Sequence, residues 1–474
     1  MPRGKVFETV QEPRLPPNDL SPPSPTPPPD PITTVRGTSS SQPVATTHVP
    51  ALQALLRHRR ILLLQGPMGF FFYQFAYWLQ QHKCMVYRVL FNGGDWLFYG
   101  NQQAEHYCGK PEEFAIWLHA YLAERGIEAI VCFGDCRQYH QTAAAIARQC
   151  HLAFYVFEEG YLRPDYITLE KDGVNARSSL AGYSAALTTP ALGEHHPAKP
   201  VNASYPRMAM SAMAYYGACW LLHWRYPHYE HHKPLLPVPE AWRWMRSGLR
   251  KMLYLLTEYR LRRDMLGLRQ NRFFLVALQV FNDSQVRHHS SYGDVQEFIR
   301  EVITSFARHA AHDHHLLLKH HPMDRGHRQY RQQIRQIALQ LGVCQRVHYL
   351  HDAHLPSLLK ASRGVITINS TVGLSALYHG KPVITLGSAL YDMPGLTAQC
   401  PLAEFWQRAP VPDPQRYRQL RRSLLHHTQL NGSFYGACHW MASPAGSAPA
   451  SPRHRVRFIL TMLAVLACQL LWPT

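Results

Sequence analysis

Three short polar strings stand where buried apolar runs end: Glu158-Glu159-Gly160, Lys319-His320-His321-Pro322 and Asn369-Ser370-Thr371. Adjacent carboxylates in unlike surroundings separate in pKa, so one can serve as general base or nucleophile while the other stays a solvated neighbour. Either Glu158 or Glu159 could take that role, with Asp135, after Gly134 at the end of a neighbouring run, as the rival carboxylate. Pro322 restricts the preceding backbone to extended angles. That fixes His321 as an imidazole able to donate to a phosphate oxygen, and Lys319 adds charge. A strand that runs into Asn369, Ser370 and Thr371 and then a helical pattern offers hydroxyls and amide N–H groups to an anion. Simple helix capping is the competing explanation. Ligand groups of double-domain α/β enzymes sit at the carboxyl ends of strands, so the three strings suggest a site shared by two domains.

The elements that must position these residues follow an alternation of short apolar runs and helical stretches, which predicts parallel sheets covered by helices. In the first half, strands are expected at 61–65, 85–91, 129–133 and 152–157, and helices at 70–82, 111–125 and 138–150, with Asn92-Gly93-Gly94-Asp95 as a polar turn. In the second, strands are expected at 273–279, 315–319, 347–350, 365–368 and 383–386, with helices at 293–311, 327–342, 355–362 and 371–379. The expected fold is α/β, two Rossmann-like domains facing across a cleft, the double-Rossmann architecture of many nucleotide-sugar transferases. Its parts are a disordered Pro-rich tail (1–55), a first Rossmann-like domain (56–200), a linker (201–270), a second Rossmann-like domain (271–437) and a tail of uncertain role (438–474).

A chain of 474 residues is too long for a single small binding module. Lys plus Arg exceed Asp plus Glu by 49 to 31, giving +18, a balance suited to phosphates, anionic head groups or nucleic acid. Nucleic acid is disfavoured because the aromatics lie mostly in apolar strands and helices rather than alternating with basic residues on one surface. The 10 cysteines form no CxxC pair and read as reduced core thiols. Cys132, Cys136 and His140 lack a second ligand pair, so no metal site is expected. No P-loop, GxGxxG or GxSxG string is present, which leaves ATPase, dehydrogenase and serine-hydrolase readings unsupported.

From Trp242 to Arg269, apolar residues interleave with arginines at helical spacing, as in a helix lying on a membrane surface; a linker helix packed at a domain interface has the same pattern. The apolar run Phe458 to Trp472 is shorter than the ~20 residues that span a bilayer.

The acidic-Gly, His-Pro and Ser-Thr strings together resemble the motifs of bacterial CMP-sugar transferases, sialyltransferases included. Longer strings narrow the resemblance: Gln65-Gly66-Pro67, Phe91-Asn92-Gly93-Gly94-Asp95, Phe133-Gly134-Asp135-Cys136-Arg137, Phe157 to Pro164 and Thr428 to Tyr435. These are similar to the capsular polysaccharide biosynthesis/export proteins of Gram-negative bacteria, specifically the smaller β-Kdo transferases, over residues 60–435. The resemblance implies a GT-B-like retaining enzyme, with its acceptor side at 56–200 and its CMP-sugar-binding side at 271–437, that moves Kdo from CMP-Kdo to phosphatidylglycerol or its lyso form and starts the poly-Kdo linker of a capsule. It implies that His321 binds the CMP phosphate with Pro322 setting its backbone, that Ser370 and Thr371 hold the same phosphate with Lys319 adding charge, and that Asn369, Gly66, Asn92 and Asp95 are among the substrate-binding residues. Glu159, then Glu158 and Asp135, are its catalytic carboxylates, and retention leaves a covalent intermediate and front-face attack both open. The donor carries one phosphate, so neither a cofactor nor a divalent metal is expected. Implied partners are an anionic phospholipid acceptor, the cytoplasmic face of the inner membrane and the capsule biosynthesis/export complex, but no nucleic acid. A non-catalytic export component is the alternative.

Overall fold

The computed structural model describes residues 49–100, 104–181, 197–230, 237–281, 286 and 289–441. Strands β1 (Arg60–Leu63), β2 (Met85–Leu90), β3 (Ala104–His106), β4 (Ala129–Phe133), β5 (Ala153–Glu159) and β6 (Tyr166–Lys171) belong to one sheet. Strands β7 (Phe273–Ala277), β8 (His315–Lys319), β9 (Val347–Leu350), β10 (Gly364–Thr367) and β11 (Val383–Thr385) form a second. A last strand, β12 (Gln429–Asn431), returns to the first sheet and pairs antiparallel with β6, Leu430 opposite Ile167. The sheets run β12-β6-β5-β4-β1-β2-β3 and β11-β10-β7-β8-β9. Counted from its own first strand, each lobe therefore carries the parallel order 3-2-1-4-5 of a Rossmann fold. The order reverses between β1 and β4 in one lobe and between β7 and β10 in the other, and ligand crevices open at such points.

The strand sequences explain this. All five residues of β7 are buried, as a strand covered by helices on both faces requires. Helices α1 (Pro50–Leu55), α2 (Phe71–Gln81), α3 (Gly93–Tyr99), α4 (Phe114–Arg125) and α5 (Gln138–Gln149) cover the first sheet. On α2, Phe71 and Phe75 each meet Phe157 of β5 with ring centroids 5.1 Å apart, and Trp78 meets Trp440 at 5.3 Å. Edge-on aromatic contacts of this kind stabilise beyond the area they bury. The lobes share one core cluster, in which Tyr161, Leu162 and Leu180 pack with Met265, Leu317 and Leu350.

Between the lobes run α6 (Tyr205–Leu221), α7 (Pro237–Thr257) and α8 (Tyr259–Leu266). Here the structure departs from the sequence reading in four places. Asn92-Gly93-Gly94-Asp95 opens a helix rather than a turn: Asn92 caps α3 by accepting from the Asp95 N–H. Its glycines permit close approach of α6, since a Cβ on Gly93 would lie 2.2 Å from the Ala218 carbonyl and one on Gly94 2.4 Å from Tyr215. β5 extends through Glu159 and turns directly into β6, with Gly160 so close to the Tyr166 carbonyl that a Cβ would sit 2.0 Å away. The expected domain boundary at 437 gives way to a chain that has rejoined the first sheet by Gln429. Within the expected tails, Leu52, Leu55 and Trp440 are core residues, while 1–48 and 442–474, with the apolar run Phe458 to Trp472, lie outside the described residues.

Candidate functional site

Glu158 and Glu159 are the last residues of β5, and a strand's pleat sends neighbours to opposite faces. Tyr155 and Phe157 share the cluster of α2, whereas Phe154 and Val156 share that of α5. Glu158 therefore lies on the α5 side, where a Cβ on Gly134 would be 3.7 Å from its Oε2. Burial raises its carboxyl to about 7. The Glu159 N–H, donating at 3.0 Å, opposes the shift, the charges of Glu159 and Asp135 add to it, and Arg163 partly offsets them. Asp135 is only 2% exposed. Its Oδ2 accepts from the Val174 N–H at 3.4 Å and from Arg177 at 3.5 Å, and its Oδ1 from the Cys136 thiol at 3.2 Å. Three donors thus hold Asp135, named as the rival carboxylate, inside the lobe. Glu159, on the other face, stands close enough to Tyr435 for its charge to push that phenol further up than burial alone does.

In the second lobe the strings divide by burial. Lys319 is 7% exposed, and its ammonium donates to the His320 carbonyl at 3.2 Å. Burial lowers its pKa to about 8 against the opposing pull of Asp352. His320 is buried too, its Nδ1 2.6 Å from the Tyr349 hydroxyl, and burial pushes its pKa down to about 3. Only His321 of the three reaches partly to the surface; its Nδ1 accepts from the Met323 N–H at 3.2 Å as the cap of the turn Pro322–Asp324. That bond uses one ring nitrogen as acceptor and so puts the proton on Nε2.

Asn369, Ser370 and Thr371 are all half-buried. Gln279, at the end of β7, donates to Asn369 Oδ1 at 2.9 Å and accepts from its N–H at 3.2 Å. The Ser370 hydroxyl accepts from the Val372 N–H at 3.3 Å, while Thr371 makes no capping hydrogen bond through its side chain. Gly373 allows Tyr391 to approach and donate to the Ser370 carbonyl, because a Cβ there would be 2.1 Å from the phenol oxygen.

The lobes meet where their strand orders reverse. Cys136 Sγ lies 4.0 Å from Nε2 of His289, and the His289 carbonyl accepts from Asn369 Nδ2 at 3.5 Å. A chain of contacts therefore runs from Glu158 and Asp135 through Cys136 and His289 to Asn369. Sequence reasoning missed His289, which sits in a His-rich stretch with nothing to single it out, and Gln279, whose Leu278-Gln279 repeats the Leu64-Gln65 of β1. That repeat was a usable signal.

Gly66, Asn92 and Asp95 are not in this chain of contacts. Asp95 is fully buried and accepts from the Phe91 N–H at 3.1 Å, Tyr215 at 2.9 Å and Gln65 at 3.2 Å. Burial, only partly offset by those donors, lifts its pKa to about 6. Asn92 donates to the Tyr215 hydroxyl at 2.9 Å, and the Gly66 N–H donates to Tyr99 at 2.7 Å. These three, expected on the substrate side, tie β1, β2 and α6 together inside the lobe. Among the described residues no group of three or more His, Cys, Asp or Glu could hold a metal ion.

Residues 128–435 match the model of the family "Capsule polysaccharide biosynthesis protein". The chain is 42% identical over 386 residues to the capsule polysaccharide export protein KpsS of Escherichia coli, covering 81% of this chain and 99% of that one. It is 41% identical over 400 residues to the capsule polysaccharide modification protein LipB of Neisseria meningitidis serogroup B, covering 81% and 94%. Among solved structures it is similar to KpsC of Thermosulfurimonas dismutans, a β-Kdo 2,7 transferase, at 13% identity and a TM-score of 0.36, covering 78% of this chain and 94% of that one. That superposition is too loose to bear on the site. The sequence matches extend over both lobes and the contacts between them: the chain belongs to the capsule polysaccharide biosynthesis protein family.

Proposed function

We propose that the protein is a retaining β-Kdo transferase that takes Kdo from CMP-Kdo and adds it to phosphatidylglycerol or its lyso form, beginning the poly-Kdo linker of a capsular polysaccharide. The observation that carries the reading is the meeting of the two strand-end edges, acidic Glu158 on one side and Asn369 with its neighbouring hydroxyls on the other, through Cys136 and His289. The motif strings and the 42% identity to the E. coli capsule protein support it.

In this reading Asn369, Ser370 and Thr371 hold the CMP phosphate, and His321 donates to it through Nε2–H with Pro322 fixing its backbone. As the bond from the anomeric carbon to the phosphate breaks, its electron pair leaves with CMP, and these donors stabilise the growing charge. Glu158 becomes the first choice of carboxylate. Its carboxylate, which loses its proton near 7, can attack the anomeric carbon as the bond to CMP breaks and hold Kdo as an ester; the acceptor hydroxyl then displaces it, its proton passing to the freed carboxylate, and the two inversions give retention. Glu159 is kept as the alternative, and Asp135 acts by raising Glu158. Lys319, engaged inside its lobe, contributes only background charge. No metal or cofactor is needed to neutralise a single phosphate. The enzyme works at the cytoplasmic face of the inner membrane beside the capsule export apparatus.

The test is Kdo transfer from enzymatically generated CMP-Kdo to a fluorescent lysophosphatidylglycerol, comparing wild type with Glu158→Gln and His321→Ala. Full activity in both variants removes the site assignment. The word "export" in the name of the E. coli relative favours a second reading, a non-catalytic export component. Such a protein needs no nucleotide pocket, so a rise in Tm on adding CMP argues against it.

A further inference from the structure

Helix α7 carries its polarity the reverse of the usual way. At about 100° per residue, Trp242, Met245, Leu249, Met252, Leu253 and Leu256 fall in one arc about 100° wide. Each is more than half exposed, from 54% at Met245 and Leu253 to 79% at Leu256. The arginine side faces protein instead. Arg246 donates to the Gly326 carbonyl, Arg250 donates to the Arg325 carbonyl at 2.9 Å, and the Tyr254 ring stacks on His351 at 3.9 Å. Glu258, between α7 and α8, fixes the end by accepting from the His351 and Asp352 N–H groups at 2.9 and 3.3 Å. These anchors set the rotation of α7, and the carbonyls they grip follow His321 in the same loop.

A helix of a soluble protein ordinarily buries its apolar stripe, and large exposed apolar patches mark surfaces that something covers. α6, which is in contact with α7, adds exposed Met210, Met213 and Trp220. Exposed cations stand nearby on α8, at Arg260 and Arg263. A second copy of this chain would bring the same surplus, +18, against itself. An anionic surface complements it, at the ~1 kcal/mol per Lys or Arg typical close to acidic lipid. Among the described residues no helix is long and apolar enough to cross a membrane, so the fit is to a surface rather than a span.

We infer that the outward face of α6 and α7 docks on an anionic lipid bilayer, with α7 lying parallel to it and the stripe from Trp242 to Leu256 in the boundary between head groups and acyl chains. The docked face gives the lipid acceptor of the transferase reading a place to be met, and rests on that reading only for the acceptor's identity.

Flotation of the full chain with phosphatidylcholine vesicles, with and without phosphatidylglycerol, tests this without any transfer step. Wild type is expected to float with the anionic vesicles, and Leu249→Asp/Leu256→Asp to lose about tenfold of its bound fraction while keeping its CMP-induced rise in Tm. Should the doubly charged variant fold poorly, Leu249→Ser/Leu256→Ser carries the same expectation with a smaller loss. Equal flotation of wild type and variant, or equal flotation on neutral and anionic vesicles, overturns the proposal. So does a change of oligomeric state by light scattering with flotation unaltered, which would assign the face to a second copy. Normal flotation with no Kdo transfer sinks the transferase reading and leaves the docking surface standing.

Discussion

The two lobes share one strand order and treat the polar residues at their strand ends in opposite ways. At the end of β1, Gln65 reaches into the lobe to Asp95 and Tyr229, and the whole cluster is sealed by α6. At the end of β7, Gln279 reaches sideways to Asn369, which is half-buried, as Ser370 and His321 are. Equivalent positions thus build structure in one lobe and keep a surface in the other. Topology marks where a site can be, and burial decides which residues are left to form it. The first lobe's candidate carboxylate, Glu158, stands two strands from β1, at the end of β5.

This contrast can be broken by substitutions on each side. The largest effect is expected at Glu158→Gln, which should lower kcat about a thousandfold, worth ~4 kcal/mol of barrier, with little change in the KM for CMP-Kdo. Glu159→Gln should lose far less; the reverse order in the transfer assay would move the chemistry to the other face of β5. Next comes Asp95→Ala. Removing a fully buried acceptor of three hydrogen bonds should cost ~3 kcal/mol in urea unfolding, whereas Asn369→Ala in the second lobe should cost ~1 kcal/mol or less. Similar losses would dissolve the distinction between a structural and an open cluster. Ser370→Ala should raise the KM for CMP-Kdo about tenfold, ~1.4 kcal/mol, and lower kcat as well, because the same hydroxyl meets the charge that grows on the departing phosphate.

The smallest effect is a pH dependence. Glu158 holds its proton up to about 7 in the folded chain but releases it near 4.5 when unfolded, so the native state binds more protons between those values. Stability from this group is therefore full below 4.5 and falls as pH rises through 7. Undiminished, that difference is worth ~3 kcal/mol; because Glu158 is partly exposed to solvent, Glu158→Gln should gain ~1 kcal/mol over wild type at pH 8 compared with pH 4, read from paired thermal melts. A constant difference across pH would mean that Glu158 is not shifted.

Much of the fold was legible because buried strands of this kind are short, unbroken apolar runs. β4, β8 and β9 occupy the expected 129–133, 315–319 and 347–350. β3 and β12 were not legible: three residues such as Ala104-Glu105-His106 carry no apolar run, and β12 is defined by a partner 261 residues away, as in the bond from Gln429 to Thr168. β6 escaped because Gly160 through Asp165 looks like a loop, while only the close approach of Gly160 to Tyr166 reveals a hairpin. For the site, residue types were visible and side-chain direction was not. The Asn92 to Asp95 string reads as a ligand loop until α6, far along the chain, is seen to cover it. Similarly, Glu158 and Glu159 are equal in the sequence, and the pleat separates them.

The division of labour between the lobes is tested most directly by calorimetric titration of CMP into wild type, Ser370→Ala and Glu158→Gln. The expected result is CMP binding in wild type and Glu158→Gln alike, with affinity about tenfold weaker in Ser370→Ala. Unchanged affinity in Ser370→Ala, or a loss confined to Glu158→Gln, would contradict a nucleotide held by the second lobe and chemistry performed by the first.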